Sequence, residues 1–161
     1  MKNTSVQFLV RSGLIAAVYA ITTLILSPLS FGAVQVRISE ALCILPLYTP
    51  AAIPGLTLGC FISGILGPNG IIDAAIGSIA TLIGSVCIYA FKKKPWMGLL
   101  LNVISNAVLV GFVLAKIYTD AMPIFICMLF VGLGEFVSCF VFGTLLKKYL
   151  DTRGTDFLNR K

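Results

Sequence analysis

The sequence predicts an all-α integral membrane protein, a six-transmembrane-helix bundle forming a single transmembrane domain over residues 1–161. Three observations carry this. Of the residues, 58% are hydrophobic and 11% charged, against about 25% charged in a soluble domain, and the mean hydropathy is +1.02. The apolar residues fall in runs near the roughly 20 residues that cross a bilayer, separated by short Pro, Gly and polar turns. The net charge of +6 gathers at Lys2 and Arg11, at Lys92-Lys93-Lys94 and in the C-terminal tail. That distribution reads as membrane topology, not as a basic groove, so no nucleic-acid partner is expected.

Composition also bounds the chemistry. There is no histidine, which removes imidazole acid–base catalysis and most zinc sites. Cys43, Cys60, Cys87, Cys127 and Cys139 lie singly inside apolar runs with no CxxC, so they read as buried hydrophobes, not as a disulfide framework. No Walker A loop, Gly-x-Ser-x-Gly elbow or HExxH occurs. Neither an enzyme, a cofactor nor a metal is expected. The first apolar run is longer than a signal-peptide core and no Ala-x-Ala-like cleavage site follows it, so it reads as a span.

The spans are justified in order. The first runs from Ser12 to Leu29 and ends at Ser27-Pro28. Ser12, Ala16 and Ala20 fall on one face at four-residue spacing, with Gly13 and Ala17 on the neighbouring stripe; small residues let another helix approach closely. That helix belongs either to this chain or to a second protein. Between residues 31 and 46 a polar cluster of Gln35, Arg37, Ser39 and Glu40 interrupts the apolar pattern. Arg37 and Glu40, three apart, can pair on a helical turn, in a wetted loop or in an entry loop over a ligand site.

The second span, Ile38 to Tyr48, is short, and Pro46 bends or ends it. Thr49-Pro50 and Pro54 turn the chain. The third, Gly55 to Leu66, carries Gly55, Gly59, Ser63 and Gly67 at strict four-residue steps, a face for tight packing. After the Gly67-Pro68-Asn69-Gly70 turn, Asp73 opens the fourth span, which reaches Phe91. Asp73 suits either first-turn capping or a ligand contact. Lys92-Lys93-Lys94-Pro95 separates it from the fifth span, Trp96 to Tyr118, where Asn102, Ser105 and Asn106 share a stripe. Thr119-Asp120 form the next turn, Pro123 fits the first turn of the sixth span, and that span continues to Leu146. Lys147-Lys148 and the tail from Asp151 are polar and outside the membrane.

An even number of spans puts all three basic regions on one side, which the positive-inside rule makes cytoplasmic. Both termini of this multi-pass cell-membrane protein are then cytoplasmic, and the 31–46 cluster, Asn69 with Asp73, and Thr119-Asp120 face outward. Glu135 lies about 12 residues beyond Pro123, roughly 18 Å below the outer end at 1.5 Å per residue, and Asn106 lies at matching depth in the fifth span. An ionisable residue at that depth is a binding-site candidate; the other reading is a carboxyl group that only holds helices together.

The runs Gln35-Val-Arg-Ile-Ser-Glu-Ala-Leu-Cys-Ile-Leu-Pro46 and Asp73-Ala-Ala-Ile-Gly-Ser-Ile-Ala-Thr-Leu82 resemble the QueT family, substrate-binding S components of energy-coupling factor (ECF) transporters. The resemblance covers essentially the whole chain, including its length, six spans and the Ala16-x-x-x-Ala20 step. It implies a bundle of the ECF S-component type holding a small molecule near the outer side. It implies docking of the first helix, through Ala16 and Ala20, on a membrane coupling (T) component driven by two ABC ATPases. The family name implies a queuosine precursor, a 7-deazaguanine such as queuine, preQ0 or preQ1. The ring N–H and exocyclic amine of such a base lie side by side, and one carboxylate accepts both. Glu135 or Glu40 suits that role, an Asn amide such as Asn106 suits the carbonyl, Arg37 assists, and Asp73 suits an aminomethyl cation. Phe31, Tyr118 or Phe136 could stack. The competing readings are an S component for another vitamin, a stand-alone small-molecule transporter or channel, and an intramembrane enzyme, which the missing catalytic motifs disfavour.

Overall fold

The computed structural model describes residues 2–32, 34–117 and 123–153. Tyr118, Thr119, Asp120 and the chain beyond Arg153 lie outside the described residues. All regular structure within them is helical: α1 Lys2–Ile25, α2 Ser27–Ser30, a 3₁₀ helix Ile38–Leu47, α3 Ala52–Leu66, α4 Gly70–Ala90 and α5 Pro95–Ile117. The final segment joins α6 Ile124–Phe136, a π-helical turn Val137–Phe142 and α7 Gly143–Arg153.

The all-helical class matches the sequence prediction, but six full-length spans do not appear. Among the described residues four stretches are long and apolar enough to cross a membrane: Ser5–Ile25, Gly70–Ala90, Pro95–Lys116 and Ile124–Thr152. The apolar helices Ile38–Leu47 and Ala52–Leu66 are shorter. Proline accounts for the difference. Pro46, Pro50 and Pro54 lack the N–H that a continuing helix needs, so the chain between Ile38 and Leu66 divides into two short pieces. Likewise Pro28 stands in the first turn of α2, and α1 stops at Ile25 rather than Leu29. Without a breaker in its polar first turns, α1 begins at Lys2, well before Ser12.

Helices α1, α3, α4, α5 and α6 pack as successive neighbours, and the 3₁₀ helix contacts α1, α3, α4, α5, the π turn and α7. It is therefore the interior element, with Ser39, Glu40, Ala41, Cys43, Ile44, Leu45 and Pro46 buried. Small residues make the close crossings. A Cβ at Gly59 would lie 2.8 Å from the Ala16 carbonyl oxygen, and one at Gly55 would lie 2.8 Å from that of Ser12. Side chains at those two positions would push α1 and α3 apart, as the four-residue stripe predicts.

Burial is inverted relative to a soluble protein. Arg37, Glu40, Asp73, Asn102, Asn106 and Glu135 are buried, while Leu9, Leu14, Ile21, Ile72, Ile83, Phe112, Phe125 and Leu133 are exposed. Apolar surface turned outward is stable against lipid and not against water. Side-chain bonds gather the beginning and the end of the chain at one end of the bundle. Ser12 Oγ donates to the Ala51 carbonyl at 2.9 Å, and Tyr48 Oη donates to Asp151 Oδ1 at 2.6 Å. This places the 48–51 turn beside the early part of α1 and the C-terminal end of α7. At the opposite end the Phe31 ring lies against Gly67, 2.4 Å from where a Cβ would stand.

Candidate ligand-binding site

The interior 3₁₀ helix sets the geometry of the site. At three residues per turn, side chains three apart eclipse, so Glu40, Cys43 and Pro46 form one column, with Arg37 just ahead of the helix. A run of ten residues in this conformation is long, since 3₁₀ hydrogen bonds are poorer than α-helical ones. Side-chain bonds to neighbouring helices support it. Thr23 Oγ1 of α1 and Ser39 Oγ are 2.7 Å apart, and Cys43 Sγ donates to Glu40 Oε2 at 2.8 Å.

Glu40 is the hub. Tyr19 Oη of α1 donates to its Oε1, as does Thr81 Oγ1 of α4 at 3.4 Å. Its Oε2 accepts from Cys43 and, at 3.4 Å, from Asn102 Nδ2 of α5. A carboxylate has about four acceptor sites, so these four donors fill them and tie α1, α4 and α5 to the 3₁₀ helix. Gly84 makes room for Asn102, whose Oδ1 lies 1.6 Å from where a Cβ at residue 84 would stand.

Arg37 does not pair with Glu40. Its Nη2 lies 3.2 Å from Asp73 Oδ2, with the two side chains 3% and 1% exposed. The 3₁₀ turn stacks Glu40 over Cys43, and Arg37, in extended conformation at the helix start, reaches sideways to the first turn of α4. Arg37 Nε also donates to the Ser30 carbonyl at 3.4 Å, and the guanidinium sits 5.5 Å from the Phe31 ring centroid.

Glu135 is far less satisfied than Glu40. Among the described residues it receives only the Cys139 thiol, 3.7 Å from its Oε2. Cys139 Sγ in turn accepts from Asn102 Nδ2 at 3.1 Å. One oxygen of Glu40, one of Glu135 and the Cys139 sulfur lie within 4.8 Å of one another. With the Glu40 acceptors already taken, the trio is short of the ligands that a closed metal site requires. The π-helical turn begins directly after Phe136, and such turns frequently mark functional positions.

The loop ahead of the 3₁₀ helix dips to this depth. A Cβ at Gly134 would stand 2.0 Å from the Val34 carbonyl oxygen and 2.7 Å from that of Gln35, so only glycine admits the loop there. Gly134 lies ten residues into α6, about 15 Å along its axis. Gln35 itself is 1% exposed with φ of 45°, a left-handed conformation uncommon for a non-glycine residue.

Among the described residues, several buried polar atoms have no protein partner: Asp73 Oδ1, Asn106 Oδ1, both amide atoms of Gln35, Ser30 Oγ and Asn69 Nδ2. Buried polar atoms are nearly always satisfied, and orphans such as these are what a ligand or ordered water would complete. Asn106 joins the cluster through its Nδ2, which donates to the Asn102 carbonyl at 3.1 Å.

Of the residues singled out in the sequence, Arg37, Asp73, Asn106 and Glu135 thus carry or adjoin unsatisfied groups, whereas Glu40 is committed to protein donors. Ala16 and Ala20 are 5% and 7% exposed, on the internal side of α1. Gly13 and Ala17 occupy its exposed side, and nothing lies within 4 Å of a Cβ at Gly13. Phe136 is 47% exposed and stacks on Phe140 at 4.7 Å; Phe31, beneath Arg37, is buried, and Tyr118 lies outside the described residues. Tyr19, Thr81, Asn102 and Cys139 complete the cluster without having been assigned to a site. Cys43 at three residues from Glu40 and Cys139 at four from Glu135 were readable as spacing. Tyr19, an aromatic on an apolar face, gave no signal.

A groove of about 460 Å³ elsewhere, between α4, α5 and α6, is lined by Ile76, Val108, Phe112 and Met128, with Lys116 the one charged residue. Its walls offer a polar ligand almost nothing to bond.

Three comparisons bear on what this cluster serves. The sequence profile of the family described as QueT transporter matches residues 9–152. A protein of Lactococcus lactis subsp. cremoris (strain MG1363), named queuosine precursor transporter QueT, is 26% identical over 161 aligned residues, covering 92% of this chain and 95% of the relative. No solved structure matches the chain.

Proposed function

The chain belongs to the QueT transporter family, and from that premise we propose that it is the substrate-binding S component of an ECF-type importer that takes up a queuosine precursor. The relative's name supplies the substrate class: a 7-deazaguanine such as queuine, preQ0 or preQ1. On this reading the whole chain is one transmembrane domain of six crossing segments in the cell membrane. Pro46 and its neighbours shorten the second and third crossings, and both termini and Lys92–Lys94 are cytoplasmic by the basic-loop asymmetry. The chain has no Walker A sequence, so energy comes from elsewhere: a membrane coupling component and two ABC ATPases.

One observation carries the proposal. Among the described residues, Asp73 Oδ1, Asn106 Oδ1 and the Gln35 amide are buried without a partner, and Glu135 has a single thiol contact, all inside an apolar bundle. Such groups are expensive in a membrane interior unless they have a function. Glu135 reads the adjacent N–H donors of the base as a charge-assisted bidentate pair. Asn106 reads the neighbouring polar edge, and Arg37 with Asp73 closes the site from the loop side. Glu40 positions the elements around it.

The experiment is binding calorimetry on the purified chain with a panel of deazaguanines and other vitamins, paired with co-purification from cells. Micromolar or tighter binding of a deazaguanine, with recovery of a coupling protein and two ATPases, supports the proposal. Selective binding of another vitamin redirects the substrate, and transport by the chain alone in vesicles redirects the mechanism.

A further inference from the structure

We propose that the site selects for positive charge: resting on the uptake reading above, its best substrate is a deazaguanine bearing a protonated amine, and a neutral base of the same shape binds more weakly. The first argument is charge balance. Among the described residues the buried charged side chains are three acids, Glu40, Asp73 and Glu135, and one base, Arg37. Arg37 is engaged with Asp73. The charge of Glu40 is solvated by four donors, but all four are neutral and none cancels it. Glu135 has one thiol at 3.7 Å, and an oxygen of it lies within 4.8 Å of one from Glu40. The cluster therefore holds an excess of two carboxyl groups over buried bases, and in a low-dielectric interior two such neighbours either retain a proton or require a cation. A cation delivered by the ligand relieves that excess.

The second argument is independent of charge. The unpartnered atoms include the acceptors Asp73 Oδ1, Asn106 Oδ1 and Gln35 Oε1, with the Ser30 hydroxyl able to act either way. The unpartnered donors are Gln35 Nε2 and Asn69 Nδ2. Counting the open side of Glu135, acceptors prevail, and the complementary ligand is rich in donors. An alkylammonium group supplies three N–H donors and no acceptor. A nitrile at the same position supplies an acceptor and no donor.

The test uses the full-length wild-type chain in detergent and two bases sharing the 7-deazaguanine ring. One carries a 7-aminomethyl group, protonated at neutral pH, and the other a 7-nitrile. Calorimetry should show the aminomethyl base binding about tenfold tighter or more, the scale expected of one charge compensated at the effective dielectric of a protein interior. Equal affinities, or a preference for the nitrile, overturn charge selection and leave the uptake reading standing. Binding of neither base by a chain that still unfolds cooperatively overturns both. Repeating the titrations with sodium in place of a bulky organic cation closes the remaining route. If sodium raises the nitrile base to the affinity of the aminomethyl base, an inorganic ion supplies the charge and the proposal falls.

Discussion

Arg37 and Asp73 form an ion pair 3.2 Å apart with both side chains sealed inside the bundle, joining the end of the loop ahead of the 3₁₀ helix to the first turn of α4. Removing one member strands the other. Asp73→Ala should lower stability by about 3–5 kcal/mol, the usual result of leaving a buried charge alone. Replacing both residues by apolar ones of similar size, Arg37→Met with Asp73→Leu, should recover most of that loss. Thermal unfolding in detergent reads the difference. An Asp73→Ala chain as stable as the parent would mean that the pair does not secure the loop.

Glu40 should behave as a structural residue. Glu40→Gln puts an NH₂ group where Tyr19, Thr81, Cys43 or Asn102 now donates, and Tyr19→Phe removes one donor outright. We expect losses of about 1–3 kcal/mol for each, the cost of one disrupted buried hydrogen bond. Affinity for a neutral deazaguanine, measured on the folded fraction, should stay within a few-fold. An unaltered unfolding temperature with sharply weakened binding would instead make Glu40 a ligand-reading group.

The contrast between Arg37 and Glu40 shows which part of this protein was readable in one dimension. Apolar runs, proline breaks and small-residue steps are local patterns, and they located most of the helices to within several residues, apart from the start of α1, the separate α2 and the continuation of α7 to Arg153. Pairing is not local. Arg37 and Glu40 look like neighbours on one helical turn, but the helix starts only at Ile38, Arg37 before it is extended, and the partner of Arg37 is 36 residues away. Asp73, Asn106 and Glu135 were legible because polar groups are rare in these spans. Gln35 was visible as part of a polar cluster, but its depth depends on Gly134, whose role emerges only when the loop is placed against α6.

Glu135 should read the ligand. Glu135→Gln keeps the side-chain volume but replaces an acceptor with a donor that faces the N–H groups of the base. Loss of a buried charged partner costs about 2–5 kcal/mol, or at least about thirtyfold in affinity. Because Glu135 has a single weak protein contact, stability should change little. Calorimetry at fixed pH, alongside an unfolding curve, separates the two effects; unchanged affinity would leave Glu135 a packing residue.

The proposed orientation puts Lys92–Lys94 on the cytoplasmic side. A cysteine at position 93, in a background whose accessible native cysteines are removed, should resist a membrane-impermeant thiol reagent in intact cells and react after lysis. Residues 92–94 are exposed between α4 and α5, so protection in intact cells reflects sidedness and not burial. Efficient labelling from outside would invert the topology.

The face of α1 that meets a coupling protein should be the Gly13–Ala17 side. Ala16 and Ala20 are covered within the chain, and the Ala16 carbonyl already approaches the Gly59 position at 2.8 Å. Ala16→Leu or Ala20→Leu should therefore overpack the bundle and cost about 1–3 kcal/mol, with transport and ligand binding falling together. Gly13 faces open space, and leucine there favours the helix by up to about 1 kcal/mol over glycine. Gly13→Leu and Ala17→Leu should thus keep the fold and the ligand affinity while reducing uptake and co-purification of the coupling protein. The opposite pattern, full uptake in Gly13→Leu and a stable but transport-dead Ala16→Leu, would return the docking role to Ala16 and Ala20. In that case α1 must turn or separate from α3 when the partner binds, because the Ala16 stripe is not otherwise accessible.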